Sequence, residues 1–138
     1  MKNILLNILA VICGAFLGGL VNMGLIIISP LVIPPPEGVN PADFESLKAN
    51  IHLFGPANFI FPFLAHALGT LVGAFLASII ARSHRRIFAL VIGVFFLVGG
   101  VVNAFMLPAP AWFIGLDLIV AYIPMALLGH TISLKFRK

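Results

Sequence analysis

AHALGTLVGAFLASIIA, residues 65–81, carries small residues at Ala65, Gly69, Gly73, Ala77 and Ala81 within an otherwise apolar run. Four-residue spacing lays all five along one slowly drifting stripe of an α-helix, with His66 and Thr70 beside it one turn apart. In water, glycines at this density weaken a helix. In a bilayer, small residues let two helix backbones approach closely enough for dispersion and interhelical hydrogen bonds to hold them together. The stripe therefore predicts a membrane-spanning helix packed closely on a neighbour.

Composition extends that reading to the whole chain. Of 138 residues, 62% are hydrophobic and 9% are charged, against roughly 25% charged in a soluble domain. This predicts an all-α integral membrane protein of one domain, most of it spent on spans of about 20 residues each. The single cysteine, Cys13, lies inside an apolar stretch, which leaves neither a disulfide framework nor a cysteine metal site. Ile12 before it and the apolar run after it also argue against a lipoprotein acylation site.

Four spans are expected, at about 4–29, 57–81, 87–107 and 111–134. The first is too long for a signal-peptide core and is read as a retained helix, ending at Pro30 and the Pro34-Pro35-Pro36 run. Residues 34–56 form the one long polar connection. Within it Asn40 suits a helix cap, Pro41 a first turn, and Asp43 and Glu45 an N-terminus. Phe44, Leu47 and Ile51 would share the inward face of a short amphipathic helix lying on the membrane surface. Arg82-Ser83-His84-Arg85-Arg86 closes the second span in a tight hairpin with the third, and Leu107-Pro108-Ala109-Pro110 turns the chain into the fourth.

The net charge of +4 is read as a topology signal and not as a nucleic-acid footprint. Lys2, Arg82, Arg85, Arg86, Lys135, Arg137 and Lys138 fall on the side of the termini, and Lys48 falls on the other. The positive-inside rule then puts both termini in the cytoplasm, the 34–56 loop outside, and the chain in a cell inner membrane as a multi-pass protein. Trp112, Phe59 and Phe61 would lie in an outer aromatic belt. Gly18-Gly19-Leu20-Val21-Asn22 in the first span resembles Gly99-Gly100-Val101-Val102-Asn103 in the third. Weaker matches between the second and fourth spans, with His66 against Tyr122, suggest a parallel two-plus-two repeat.

Polar residues inside the spans are where chemistry would reside. Asn22, His66, Asn103 and Asp117 each fall roughly 6–12 Å from the external ends of their helices at about 1.5 Å per residue. A carboxylate in hydrocarbon must face the bundle or a water pocket, or be protonated, so His66 is the natural partner of Asp117, with the two asparagines completing a network. One reading of this cluster is interhelical glue, and the other is a site for a ligand or proton. One His and one Asp on different helices make no metal-ligand set, and no cofactor is implied. His130 lies near the cytoplasmic end, too far from His66 to share a site. Pro124 frees the Val120 carbonyl and predicts a kink. Ser29, Ser78, Ser83 and Ser133 look scattered, with no base nearby, and no catalytic constellation is visible, so an enzyme is not expected. Gly14, Gly18, Gly93 and Gly100 on the first and third spans are expected to receive the Ala65, Gly69, Gly73, Ala77 stripe.

The segments around Asn22-Met23, Pro34–Pro41 (PPPEGVNP) and Ala65–Thr70 (AHALGT) resemble those of small four-helix bacterial inner-membrane proteins of no assigned activity. That likeness implies the four-span architecture and carries no function. Small multidrug-resistance transporters share the span count and short length, but they use a carboxylate in the first span. Here the first span has only Asn3, Asn7 and Asn22. DoxX-like proteins match in span count alone. Two functions follow from the residues. One is binding or conducting a small solute, proton or lipid-like ligand through an outer-leaflet pocket, as a homo-oligomer. The other is an accessory subunit whose glycine faces dock onto a larger membrane complex.

Overall fold

The computed structural model describes residues 1–137 and is helical, with no strand among them. Its helices are α1 (Lys2–Val32), α2 (Phe44–Asn50), α3 (Ile60–Ile80), α4 (Arg85–Met106), α5 (Ala111–Val120) and α6 (Ile123–Lys135). Short 3₁₀ turns at Ile51–Leu53 and Pro56–Phe59 lead from α2 into α3. Four helical segments are long and apolar enough to cross a membrane: Lys2–Val32, Pro56–Ile80, Arg85–Met106 and Ala111–Lys135.

Two boundaries differ from expectation. The first helix continues through Pro30 to Val32, because a proline in the final turn removes one bond, to the Ile26 carbonyl, and leaves the rest of the ladder intact. The stop is set by Pro34, which forces the residue before it out of the helical region, and Ile33 is extended at φ −122° and ψ 94°. The fourth span is two helices. It is interrupted at Ala121 and Tyr122, just before Pro124 opens α6.

The bundle is organised around α3, which packs on α1, α4 and α6. Its stripe is wholly buried: Ala65, Ala77 and Ala81 expose nothing, and Gly69 and Gly73 are buried between them. On α1 the matching glycines sit against it in antiparallel order. A Cβ added to Gly14 would lie 2.6 Å from the Gly73 carbonyl oxygen, and one added to Gly18 would lie 2.5 Å from that of Gly69. Ile92 of α4, also fully buried, fills the space beside Gly14 and Gly73. The opposite side of α3 receives Gly129 of α6, whose added Cβ would meet the Leu71 carbonyl oxygen at 2.5 Å.

Gly93 and Gly100 do not face the stripe as expected. Gly93 packs on Ala126 of α6, and Gly100 lies under the Tyr122 ring. Periodicity defines a helix face but not the partner it meets, and in α4 the glycine face turns to the fourth span. The aligned glycines of the repeat also take different surroundings. Gly18 is packed while Gly99 is open, and Gly19 is open while Gly100 is packed.

One end of the bundle gathers the N-terminus, the α3–α4 turn and the C-terminal segment. Asn7 of α1 accepts a hydrogen bond from the Arg82 backbone amide at 2.9 Å and donates to Ser83 Oγ at 3.0 Å. Arg137 donates to the carbonyls of Ile79 and Ala81, and Arg85 also donates to Ala81. Cations thereby close the C-terminus of α3, where carbonyls lack helical partners and the helix dipole is negative.

At the other end, Ile51, Phe59 and Phe113 form a small buried core, flanked by Phe54, Phe63, Leu107 and Ala109. Phe59 is therefore part of this core and not of an aromatic belt. The Phe59 and Phe113 centroids are 4.6 Å apart, and Trp112 meets Phe59 edge-on at 5.7 Å. The connecting helix is shorter than predicted. Asn40 does not cap it: its Oδ1 accepts the Ala42 amide in a local turn, and α2 starts beyond Asp43. Leu47 and Ile51 turn inward while Phe44 stays 39% exposed.

Candidate functional site

His66 occupies the second turn of α3 and Asp117 the second turn of α5, and the packing of these turns brings the two side chains together. His66 Nδ1 lies 2.8 Å from Asp117 Oδ1 and 3.0 Å from Oδ2. The Tyr122 hydroxyl donates to Asp117 Oδ2 at 2.9 Å, and the Tyr122 ring stacks on the imidazole with centroids 5.8 Å apart. Asp117 is 4% exposed. A carboxylate at that depth needs its lone pairs engaged, and it takes donors from the imidazole and from the phenol.

Tyr122 was not legible from periodicity. In a continuous helix, residues five apart point about 140° away from each other at 3.6 residues per turn. The break at Ala121 and Tyr122 swings the ring back toward Asp117. Gly100 completes the arrangement, since an added Cβ there would collide with the Tyr122 hydroxyl. Pro124 was the available signal: it marks where the span stops being one helix. Thr70, next to His66 on the stripe, returns its hydroxyl to the His66 carbonyl at 2.8 Å and takes no part in the network.

His66, Asp117, Asn22 and Asn103 all line one cavity of about 430 Å³. This volume falls in the range of small-molecule pockets, about 300–1,000 Å³. The asparagines do not join the His66–Asp117 network, contrary to expectation, and make no side-chain hydrogen bond among the described residues. Asn103 lies at the rim, exposed, on α4. With Nδ1 given to Asp117, the free atom of the network is His66 Nε2. It makes no hydrogen bond among the described residues, and His66 is one of the residues that line the cavity. In the neutral ring, with its proton on Nδ1, Nε2 accepts a hydrogen bond; in the imidazolium it donates one.

The cavity is bordered by the connecting segment at one end and by exposed residues of α1 and α4 at its side. Leu47, Ile51 and Phe54 of the connecting segment line it at the end away from the basic cluster. Among the lining residues the exposed ones are Ile26 of α1 and Gly99 and Asn103 of α4. These two helices touch where Gly14 meets Ile92 and Gly18 meets Phe96, and beyond that level Asn22 and Ile26 of α1 and Gly99 and Asn103 of α4 all line the cavity.

A second polar cluster lies toward the basic end. Ser78 Oγ is 2.8 Å from His130 Nδ1 and 2.8 Å from Ser133 Oγ, and Ser133 donates to the His130 carbonyl at 2.6 Å. Ser78 and Ser133 are thus neither scattered nor without a base. They stand in small-residue faces of α3 and α6 that meet through Ala74, Ala126 and Gly129. One proton assignment satisfies all three groups: His130 donates to Ser78, Ser78 to Ser133, and Ser133 to the carbonyl. Ser78 is fully buried and Ser133 is 3% exposed, so no substrate reaches either hydroxyl, and the cluster serves as interhelical adhesive. Ser78→Ala is expected to lower stability by about 1 kcal/mol. The measurement is the unfolding midpoint in mixed micelles of increasing dodecyl sulfate content, and an unchanged midpoint would show that the cluster contributes nothing.

No protein-family model, curated protein or solved structure matches the chain.

Proposed function

We propose that this is a small multi-pass inner-membrane protein that binds a small ligand in the outer half of its bundle, with His66 as the contacting group and Asp117 and Tyr122 holding the ring. The observation that carries the reading is an imidazole held through Nδ1 by a buried carboxylate, both in the wall of a cavity of about 430 Å³. The Ser78, His130 and Ser133 cluster also uses one ring nitrogen, but His130 is not among the residues that line this cavity, whereas His66 and its partner Asp117 both are. Orientation follows the basic end: Lys2, Arg82, Arg85, Arg86, Lys135 and Arg137 face the cytoplasm, and Glu37, Asp43 and Glu45 face outside. The accessory-subunit reading is weaker, because Gly14, Gly18, Gly69 and Gly73 are used within the chain, and the open glycines of the spans, Gly19, Gly24, Gly99 and Gly115, do not form a four-residue stripe.

The test is native mass spectrometry of the protein released from its own membrane in mild detergent. Wild type is expected to carry a small-molecule adduct that His66→Ala and Asp117→Asn lose while both variants keep the helical circular dichroism of wild type. An adduct retained by both folded variants would defeat the assignment of His66 as the contact.

A further inference from the structure

Resting on the reading of the cavity as a binding site, we infer that its ligand is a membrane-dissolved amphiphile with an uncharged, oxygen-bearing head. This molecule enters sideways between α1 and α4 and leaves its tail in the bilayer. The route comes from which lining residues are the most exposed. These are Ile26, Gly99 and Asn103, and all three stand on α1 or α4. The end away from the basic cluster is instead lined by Leu47, Ile51 and Phe54. A water-borne solute would have to pass that segment, whereas a molecule already in the outer leaflet meets the more exposed seam.

The head follows from the wall chemistry. No lysine or arginine lines the cavity among the described residues, and the one formal charge there is the Asp117 carboxylate, so an anionic head has no counter-charge and a like charge below it. A cationic head would have to compete for carboxylate oxygens that already accept from His66 and Tyr122. What remains available is His66 Nε2 and the amides of Asn22 and Asn103, which suit hydroxyl and carbonyl oxygens. The surrounding surface of Phe54, Phe59, Phe96 and Phe113 is aromatic and apolar.

Gly99 supplies the decisive variant. Nothing lies within 4 Å of a Cβ built there, and the same is true of Gly19, which does not line the cavity. Gly99→Phe thus puts a ring into the seam without disturbing packing, and Gly19→Phe adds the same ring to a helix surface elsewhere. The protein is reconstituted in phosphatidylcholine vesicles and titrated with three probes of equal tail: 1-monodecanoylglycerol, decanoate and decyltrimethylammonium. The readout is emission from Trp112, the only tryptophan of the chain, whose ring abuts the cavity-lining Phe59 and Phe113.

Monodecanoylglycerol is expected to give a saturable change, at least tenfold tighter than either charged probe. Its association is expected to be at least tenfold slower in Gly99→Phe and unchanged in Gly19→Phe. Asn103→Phe, at the same rim, provides an independent block should the first variant fail to fold. Association equal to wild type in a folded seam variant would overturn lateral entry, and preference for a charged probe would overturn the head assignment. Failure of all three probes would also overturn this class of ligand. The adduct seen by native mass spectrometry would then still decide separately whether the cavity binds anything.

Discussion

Replacing Gly14 and Gly18 together with isoleucine should separate α1 from α3 and leave a chain that no longer folds as one unit. At each position the atom facing the new side chain is a backbone carbonyl, at 2.6 Å from Gly14 and 2.5 Å from Gly18, and a carbonyl within a helix has no rotamer to which it can retreat. Overpacking in a tight core costs about 1–3 kcal/mol per site where side chains can shift, and here the two backbones must part along their whole crossing. The same pair of substitutions at Gly19 and Gly24 meets nothing within 4 Å and should leave the fold intact. Unfolding in dodecyl sulfate mixtures, followed by circular dichroism, checks both pairs. Equal losses from the two pairs would mean that the close crossing is not what holds α1.

The second large effect concerns the buried pair. His66→Ala leaves the Asp117 carboxylate with one neutral donor, Tyr122, in place of two groups. Leaving a buried charged group short of a hydrogen-bond partner costs more than the roughly 1–3 kcal/mol of a neutral group. Asp117→Asn removes the charge and keeps an acceptor for either neighbour, so it should cost about 1.5–3 kcal/mol, the value of a lost hydrogen bond to a charged group. The double variant should therefore be more stable than His66→Ala alone, because the amide has no charge to strand. A double-mutant cycle in mixed micelles measures this coupling, and strictly additive losses would show that the two side chains do not depend on one another.

The architecture was largely readable because hydrophobic length and proline placement act locally. The residues that start and stop each span carry the information themselves, and the glycines at 14, 18, 69 and 73 announce a close crossing. The pairing of His66 with Asp117 was also readable, from the cost of a carboxylate at that depth. What escaped depends on neighbours that a single strand of sequence does not name. Gly93 and Gly100 carry the same signal as Gly14 and Gly18 but serve the fourth span. Ser78 and His130 look isolated until α3 and α6 are laid side by side, 52 residues apart in the chain. Tyr122 reads as an ordinary helix-face aromatic until the interruption beside Pro124 turns it. The asparagines share the cavity with His66 and Asp117 but not their hydrogen bonds, since counting residues gives a level along the helix and bonding depends on rotation about its axis.

The central position of α3 also fixes an order of assembly during synthesis. Its glycine crossing with α1 involves only the first two long helices, so that hairpin can close as soon as α3 has entered the bilayer. The cavity has no such early form: Asp117 and Tyr122 reach it only with the last span, and Gly99 and Asn103 only with the one before. A chain halted after its second long helix would thus be a packed pair with His66 unpartnered on its surface. The cavity is complete only after all four long helical segments have been made.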